Sequence, residues 1–130
     1  MKEKTSTWLE LAESDLEFAK SILEAGNRPH YAVHYCHQAI EKILKAVVQE
    51  LSKEDPKRTH NFKTLCLQAR LQLPANIEDF LTRLSPHYLA SRYPEDMKRF
   101  YELYTAEYSR KLLLETEKTF LWLKNLILKK

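Results

Sequence analysis

Glycine is almost absent from this sequence, and its scarcity argues against a β-rich fold. Only one of the 130 residues is glycine, and five are proline. Sheets joined by tight hairpins need residues that adopt positive φ at many turns, and glycine is the usual choice. The sequence therefore favours an all-α fold with few turns.

Cysteine is nearly as rare, and long apolar runs are missing. The two thiols, Cys36 and Cys66, form no disulfide framework, a pattern typical of a reduced, cytoplasmic protein. The first 20 residues lack the apolar core of a secretion signal, and no apolar run reaches the length that a bilayer crossing requires. We therefore expect a cytoplasmic protein that does not contact a membrane.

A strong excess of charge of one sign is also missing. The formal net charge of +3 hides an uneven distribution, because residues 1–55 carry 7 basic and 10 acidic side chains and residues 56–130 carry 14 and 8. This imbalance is too small for a strong nucleic-acid signature, although it allows a local basic surface. The length and a hydrophobic content of 44% fit one domain, which we expect to span residues 1–130.

The apolar periodicity predicts five helices. Their expected ranges are about 6–24, 30–51, 59–71, 75–84 and 105–128. A serine or threonine among residues 5–7 is expected to cap the first helix. Residues 86–103 are the least regular part and are predicted to be a loop that leads into the last helix.

The second predicted helix has the widest apolar face in the sequence. Apolar side chains recur there at helical spacing: Val33, Cys36, Ala39, Ile40, Ile43, Leu44 and Val47. At 100° per residue this face covers an arc of about 200°, more than one neighbouring helix needs. We expect this helix to lie at the centre of the bundle, with neighbours on two sides.

The polar edge of the same helix gathers side chains that bind anions or transfer protons, namely His34, His37, Gln38, Glu41 and Lys45. His37 and Glu41, and likewise Glu41 and Lys45, are four residues apart and can meet on the helix surface. One interpretation is an anion or nucleotide site, where Lys45 binds phosphate, Glu41 orients it, and a histidine or glutamine contacts a base or sugar. The alternative is a polar stripe that only stabilises the helix.

Three histidines of this helix suggest a metal as a further alternative. His30, His34 and His37 have the i,i+4 and i,i+3 spacing that places imidazoles on one side of a helix around zinc. No carboxylate or cysteine elsewhere is clearly recruited to them. We therefore predict neither a metal site nor another cofactor.

A second candidate segment is SRYPEDMKR, residues 91–99. Arg92 and Tyr93 precede Pro94, which holds Tyr93 in an extended conformation. An arginine beside an aromatic ring suits recognition of a phosphate and a base. The alternative is a helix start, with Pro94 at the first helical position and the acidic pair Glu95 and Asp96 behind it.

Three leucines of the last helix lie away from its apolar stripe. Leu114, Leu121 and Leu128 are spaced seven residues apart. Three leucines in register suggest a second contact surface, covered either by another helix of the bundle or by a second copy of the chain. We favour a homodimer.

The order and spacing of four segments resemble the HEPN domain family (higher eukaryotes and prokaryotes nucleotide-binding). They are an acidic first helix with Trp8, then YAVHYCHQAIEKILKA from residue 31, THNFKTL from residue 59 and SRYPED from residue 91. The resemblance covers nearly the whole chain. Its most specific elements are the Gln38-Ala39-x-Glu41-Lys42-x-x-Lys45-Ala46 run, His60 and Arg92-Tyr93-Pro94.

The resemblance implies an up-and-down bundle of four or five helices, like the helical domain of kanamycin nucleotidyltransferase. It implies a dimer that acts beside a small separate nucleotidyltransferase, as a two-protein or toxin–antitoxin pair, with a nucleotide such as ATP or an RNA as ligand. The site residues that it implies, together with the polar edge, are His37, Gln38, Glu41, Lys42, Lys45, His60, Arg92 and Tyr93. We expect the polar edge of the second helix and the Arg92-Tyr93 segment to line one polar cleft in the folded protein.

One departure from the family pattern argues against an enzyme. HEPN proteins that act as metal-independent ribonucleases carry an arginine followed, four to six residues later, by a histidine in the later helical region. No histidine follows Arg92 here, so the usual acid–base partner is missing. The sequence also lacks a glycine-rich phosphate loop and a nucleophile elbow. We predict no catalytic residue and rank a ribonuclease, or a purely structural helical dimer, behind nucleotide binding.

Overall fold

Six α-helices account for most of the residues that this computed structural model describes, which are 1–88 and 94–129, with only the main chain described at positions 97, 100 and 101. The helices are α1 (Glu3–Ala25), α2 (Pro29–Leu51), α3 (Phe62–Gln68), α4 (Ala75–Leu84), α5 (Pro94–Leu103) and α6 (Ala106–Leu128). The predicted all-α class is confirmed. No helix in these ranges has both the length and the apolar character that a bilayer crossing requires.

A tight turn joins α1 to α2 and lets the two helices pack along their length. Gly26 ends α1 with φ at +78°, a conformation that favours glycine, and its N–H donates to the carbonyl of Leu23 at 3.2 Å. Pro29 then begins α2, where its missing N–H costs nothing. Fully buried alanines, Ala12 on α1 and Ala39 on α2 among them, present small side chains that permit close packing.

Helix α2 is the central element of the bundle, as its wide apolar face predicts. It contacts α1, α3 and α6. Its buried apolar side chains are Ala32, Val33, Cys36, Ala39, Ile40, Ile43, Leu44, Ala46, Val47 and Val48. The polar edge of α2 therefore lies beside the core and not on a remote surface.

Ion pairs show how α6 runs relative to α1. Lys124 near the end of α6 forms an ion pair with Glu13 at 3.5 Å. Glu117, seven residues earlier in α6, forms an ion pair with Lys20 at 3.4 Å. Since the later residue of α6 meets the earlier residue of α1, the two helices are antiparallel. The exposed leucines of α6, Leu114, Leu121 and Leu128, are 61%, 58% and 57% exposed, so no described helix covers them.

The predicted loop over residues 86–103 is wrong for its second half, which forms α5. Pro94 occupies the first helical position, and Glu95 and Asp96 lie in the first turn. The fixed φ of proline and the favourable interaction of carboxylates with the positive helix end suit this start. The alternative of a helix start at Pro94 is thus confirmed, and the bundle has more helices than the four or five expected.

The start of α1 also differs from the prediction. The helix begins at Glu3 without a side-chain cap. Thr5 lies inside the helix, fully buried, and its hydroxyl donates to the Glu50 carboxylate at 3.0 Å. Thr5 therefore ties the start of α1 to the end of α2 and does not act as a cap.

Candidate functional site

The polar edge of α2 is organised around the carboxylate of Glu41. This side chain is only 5% exposed, and both of its oxygens are engaged. Lys45 donates to Oε2 at 3.1 Å, one turn along the same helix, and His60 lies with Nδ1 2.8 Å from Oε1. Because a carboxylate accepts, Nδ1 carries the proton and donates. Glu41 thus links two elements that are far apart in the sequence.

His60 is placed by the segment that leads into α3. Asn61 caps this helix, since its side-chain oxygen accepts from the N–H of Thr64 at 2.9 Å. The N–H of Asn61 in turn donates to the Thr59 hydroxyl at 3.1 Å, which fixes the chain just before the helix. These local bonds leave the His60 side chain 55% exposed while its Nδ1 reaches Glu41.

Tyr88 completes the arrangement from the segment after α4. Its hydroxyl lies 3.0 Å from Nε2 of His60, and the two rings stack with their centroids 4.1 Å apart. In the tautomer whose Nδ1 donates to Glu41, Nε2 is the nitrogen that accepts from the phenol. We call Glu41, Lys45, His60 and Tyr88 the Glu41 cluster.

His37 supports the Glu41 cluster from the core side. Its ring is fully buried between Phe62, with centroids 4.5 Å apart, and Tyr88, with centroids 5.5 Å apart. Nε2 donates to the carbonyl of Ser85 at 3.2 Å, which ties α2 to the end of α4. Burial lowers the pKa of His37 to about 4, so the ring is neutral at pH 7. His37 therefore fixes the neighbouring segments and does not face solvent.

Lys42 and Gln38 lie on the next row of the same helix. Lys42 donates to Asp15 of α1 at 2.6 Å, and its side chain is 26% exposed. Gln38 is half-buried. The ammonium of Lys45 lies 5.4 Å from the centre of the Trp8 ring, within the range of a cation–π contact. Each lysine therefore has a carboxylate partner already in place.

The remaining sequence-predicted residues have different outcomes. Arg92 and Tyr93 lie outside the described residues, so their place in a common cleft stays a prediction. Within the described ranges no three potential metal ligands come together, and His37 uses Nε2 for a carbonyl. The hydroxyl of Tyr104 forms a hydrogen bond with His87, at the junction of α5 and α6.

Two contributors to the site were missed by sequence reasoning. Tyr88 is one of seven tyrosines, and no spacing singles it out. Asp15 is one of several acidic residues in the first helix, and its position in the sequence does not distinguish it from the others. Both reach the edge of α2 only through packing between elements, a relation that periodicity along one helix does not contain.

Comparison with known proteins decides the family. The HEPN domain family matches residues 5–126 of the chain. This chain belongs to the HEPN domain family. The identification suggested by the four sequence segments is therefore confirmed over nearly the whole length.

Two solved structures share this HEPN fold. The crystal structure of ST0689, an archaeal HEPN homologue, is 29% identical, with a TM-score of 0.77 over 98% of this chain and 99% of that one. The crystal structure of TT1696 from Thermus thermophilus is 22% identical, with a TM-score of 0.79 over 96% of this chain and 99% of that one. A search among curated proteins found no match.

Proposed function

We propose that this HEPN protein binds a nucleotide at the Glu41 cluster and acts together with a separate small nucleotidyltransferase. The observation that carries the proposal is the position of Glu41. A buried carboxylate holds a lysine on one oxygen and a half-exposed histidine on the other. Such an arrangement fixes both side chains in advance, which reduces the ordering that a ligand must otherwise impose.

The two lysines of this edge retain donors for phosphate oxygens. An ammonium group has three N–H donors. Lys45 donates one to Glu41, and Lys42 donates one to Asp15. The remaining donors of these neighbouring side chains suit the oxygens of a phosphate, while the stacked rings of His60 and Tyr88 offer a flat surface to a base.

Calorimetric titration with ATP tests the nucleotide site. Wild-type protein is expected to bind, and His60→Ala is expected to weaken binding about tenfold, or about 1.4 kcal/mol, because it removes the exposed ring. Lys118→Ala, an exposed lysine on α6, is the matched control and leaves the affinity unchanged. No heat of binding with ATP or with the other common nucleoside triphosphates would refute the site.

The partner half of the proposal needs a separate experiment. Co-expression with a small nucleotidyltransferase encoded beside this protein is expected to yield a complex that survives size-exclusion chromatography. Since HEPN membership is the support for this half, failure of the complex leaves the nucleotide site standing. The converse result, a complex without nucleotide binding, would restrict the protein to a structural role in the pair.

A metal-independent ribonuclease is the second candidate function, and one observation favours it. The Nδ1 of His60 is oriented by Glu41, while the ring remains half-exposed, an arrangement that general acid–base catalysis uses. If this function operates, RNA is cleaved in the presence of a chelator and cleavage is lost in His60→Ala. Intact RNA after incubation at high protein concentration would exclude it.

A further inference from the structure

A groove of about 610 Å³ lies between α3 and α4, on the side of the molecule where His60 precedes α3. Its apolar wall includes Phe62, Leu67, Leu71, Leu73 and Leu81. Leu67 is 68% exposed, which makes it the most exposed of the large apolar side chains that the structure describes. Helix α3 packs on α2 and α4 packs on α6, so the space between them is left open.

The segment that forms the α3 side of this groove is basic. Residues 56–77 contain Lys57, Arg58, Lys63 and Arg70 and no acidic residue. All four side chains are exposed, and none forms an ion pair within the described ranges. Lys63 on the wall of an apolar groove, with three further unpaired cations in the same segment, favours a ligand that is apolar and carries acidic groups.

Two of these cations lie at the two ends of α3. Lys63, in the first turn, lines the groove directly. Arg70 adopts a left-handed conformation with φ at +55°, and the next N–H, of Leu71, donates to the carbonyl of Cys66 at 3.0 Å. Arg70 is therefore held at the helix end, next in the chain to Leu71, which lines the groove.

The opposite wall has a different character. It is formed by α4, where Glu78, Leu81 and Thr82 line the groove. A ligand with acidic groups on both sides would meet Glu78 with like charge. The favourable orientation therefore places the acidic side of the ligand along α3 and an uncharged side along α4.

The apolar lining also favours a peptide over a nucleic acid as the ligand of the groove. A phosphate backbone would account for the four cations but would leave the leucines in contact with water. Bases are usually bound against exposed aromatic or arginine planes, whereas the groove wall is aliphatic and its one aromatic side chain, Phe62, is buried. An amphipathic peptide helix satisfies both features, since its leucines fill the groove and its glutamates face Lys63 and Arg70.

We propose that the α3–α4 groove binds an amphipathic segment of a partner protein whose apolar side chains are flanked on one side by Asp or Glu. This site goes beyond the proposed nucleotide site and uses none of the Glu41 cluster. Affinity comes from burial of Leu67 and its apolar neighbours, while the cations set the orientation of the bound segment.

Fluorescence anisotropy with two synthetic helical peptides tests the proposal. The acidic probe carries leucines at helical spacing with glutamates on one flank, and the neutral probe replaces the glutamates by glutamine. We expect the acidic probe to bind more tightly and its binding to weaken as salt is raised. In the double variant Lys63→Glu, Arg70→Glu its affinity is expected to fall about tenfold or more.

Three further variants separate the contributions. Leu67→Ser weakens both probes, because this exposed side chain supplies apolar contact without supporting the fold. Lys118→Glu makes the same kind of charge change on α6 and leaves both affinities unchanged. His60→Ala, which tests the nucleotide site, also leaves peptide binding unchanged, so failure of one site is distinguishable from failure of the other.

Several results would overturn the proposal. These are no binding of either probe, equal binding by wild type and the Lys63→Glu, Arg70→Glu variant, or insensitivity to Leu67→Ser. A single-stranded RNA probe serves as the competing ligand. If RNA binds, is lost in the charge-reversal variant and is insensitive to Leu67→Ser while the peptides do not bind, the cations serve nucleic acid and the groove is not a peptide site.

Discussion

The Glu41 carboxylate concentrates the interactions of the candidate site in one buried group. Removing an ionised carboxylate from water is costly unless charged or hydrogen-bonding partners replace the lost hydration. Lys45 and His60 supply these partners, and His60 remains reachable from solvent. The pair of Glu41 and His60 therefore combines a buried stabilising charge with a side chain that a ligand can reach.

Replacing this carboxylate tests its structural contribution. We expect Glu41→Ala to lower the free energy of unfolding by about 2 kcal/mol, because Lys45 loses its partner while it is only 12% exposed. Urea denaturation measures the change. In the control Glu17→Ala, which breaks an exposed pair with Lys20, the change stays within about 0.5 kcal/mol. Equal effects in both variants would mean that Glu41 has no special role.

At the residue scale, the sequence predicts contacts within one helix but not contacts between separate segments. The spacing of Glu41 and Lys45 predicts their ion pair, and the pair is present at 3.1 Å. The contact between Glu41 and His60 spans 19 residues and depends on how the segment before α3 packs. The resemblance to a family nominated His60 for the site, but geometry along one helix could not.

Among the elements, α3 is the shortest and depends most on its cap. It spans only Phe62–Gln68, too short to be stable by helix formation alone. The Asn61 side chain accepts a hydrogen bond from a backbone N–H of the first turn of α3. Burial of Phe62 and Leu65 against the core also stabilises the helix. The position of His60, immediately before the cap, follows from this small element.

Removal of the cap therefore affects both stability and the site. We expect Asn61→Ala to lower the free energy of unfolding by about 1 kcal/mol and to increase amide exchange in α3 more than in α2. Hydrogen exchange resolves the two helices. Asn76→Ala replaces an exposed asparagine inside α4 and is the matched control. Unchanged exchange in α3 would show that packing alone holds this helix.

Helix prediction succeeded for α4 and failed for α5, although both helices are 10 residues long. The range predicted for the helix at 75–84 agrees with α4, and the predicted end of the second helix agrees with α2. The segment that forms α5 is polar on average, yet Met97, Phe100 and Tyr101 recur in it at helical spacing. The predicted loop overlooked this short apolar stripe, as well as the proline and the acidic residues of the first turn.

For the whole molecule, buried histidines make stability depend on pH. Burial lowers the pKa of His37 to about 4, against 6.5 for an exposed histidine, and also lowers the pKa of His34. Above pH 6.5 the His37 ring is neutral in both the folded and the unfolded chain, so its contribution to the free energy of unfolding is fully present. Between pH 6.5 and about 4 the unfolded chain binds a proton that the folded one does not, so the free energy of unfolding falls as pH falls.

The expected loss from His37 alone is about 3 kcal/mol between pH 7 and pH 4, since a tenfold change in proton affinity corresponds to about 1.4 kcal/mol. Urea denaturation at a series of pH values measures it. His37→Gln removes this titrating group and is expected to reduce the pH dependence in this interval, whatever its effect at pH 7. Parallel curves for wild type and variant would contradict the assignment.

The predicted homodimer also belongs to this scale. The exposed stripe of Leu114, Leu121 and Leu128 is the surface that we expect a second copy to cover. Leu121→Glu places a charge at its middle and is expected to convert a dimer to a monomer in light scattering. Leu67→Glu changes an equally exposed leucine on α3 and leaves the mass unchanged. If the wild-type protein is a monomer in light scattering, the predicted homodimer is wrong.

The two cysteines give the molecule an internal probe of its own opening. Burial raises the pKa of Cys36 to about 12 and that of Cys66 to about 11, so both thiols are protonated and react slowly with alkylating reagents at neutral pH. Cys36 lies within the core on α2, whereas Cys66 lines the α3–α4 groove. Alkylation of Cys36 therefore requires global unfolding, and that of Cys66 requires only that α3 move. Comparing the two alkylation rates in wild-type protein, with and without a ligand, would report whether the ligand closes the groove, and no cysteine has to be introduced.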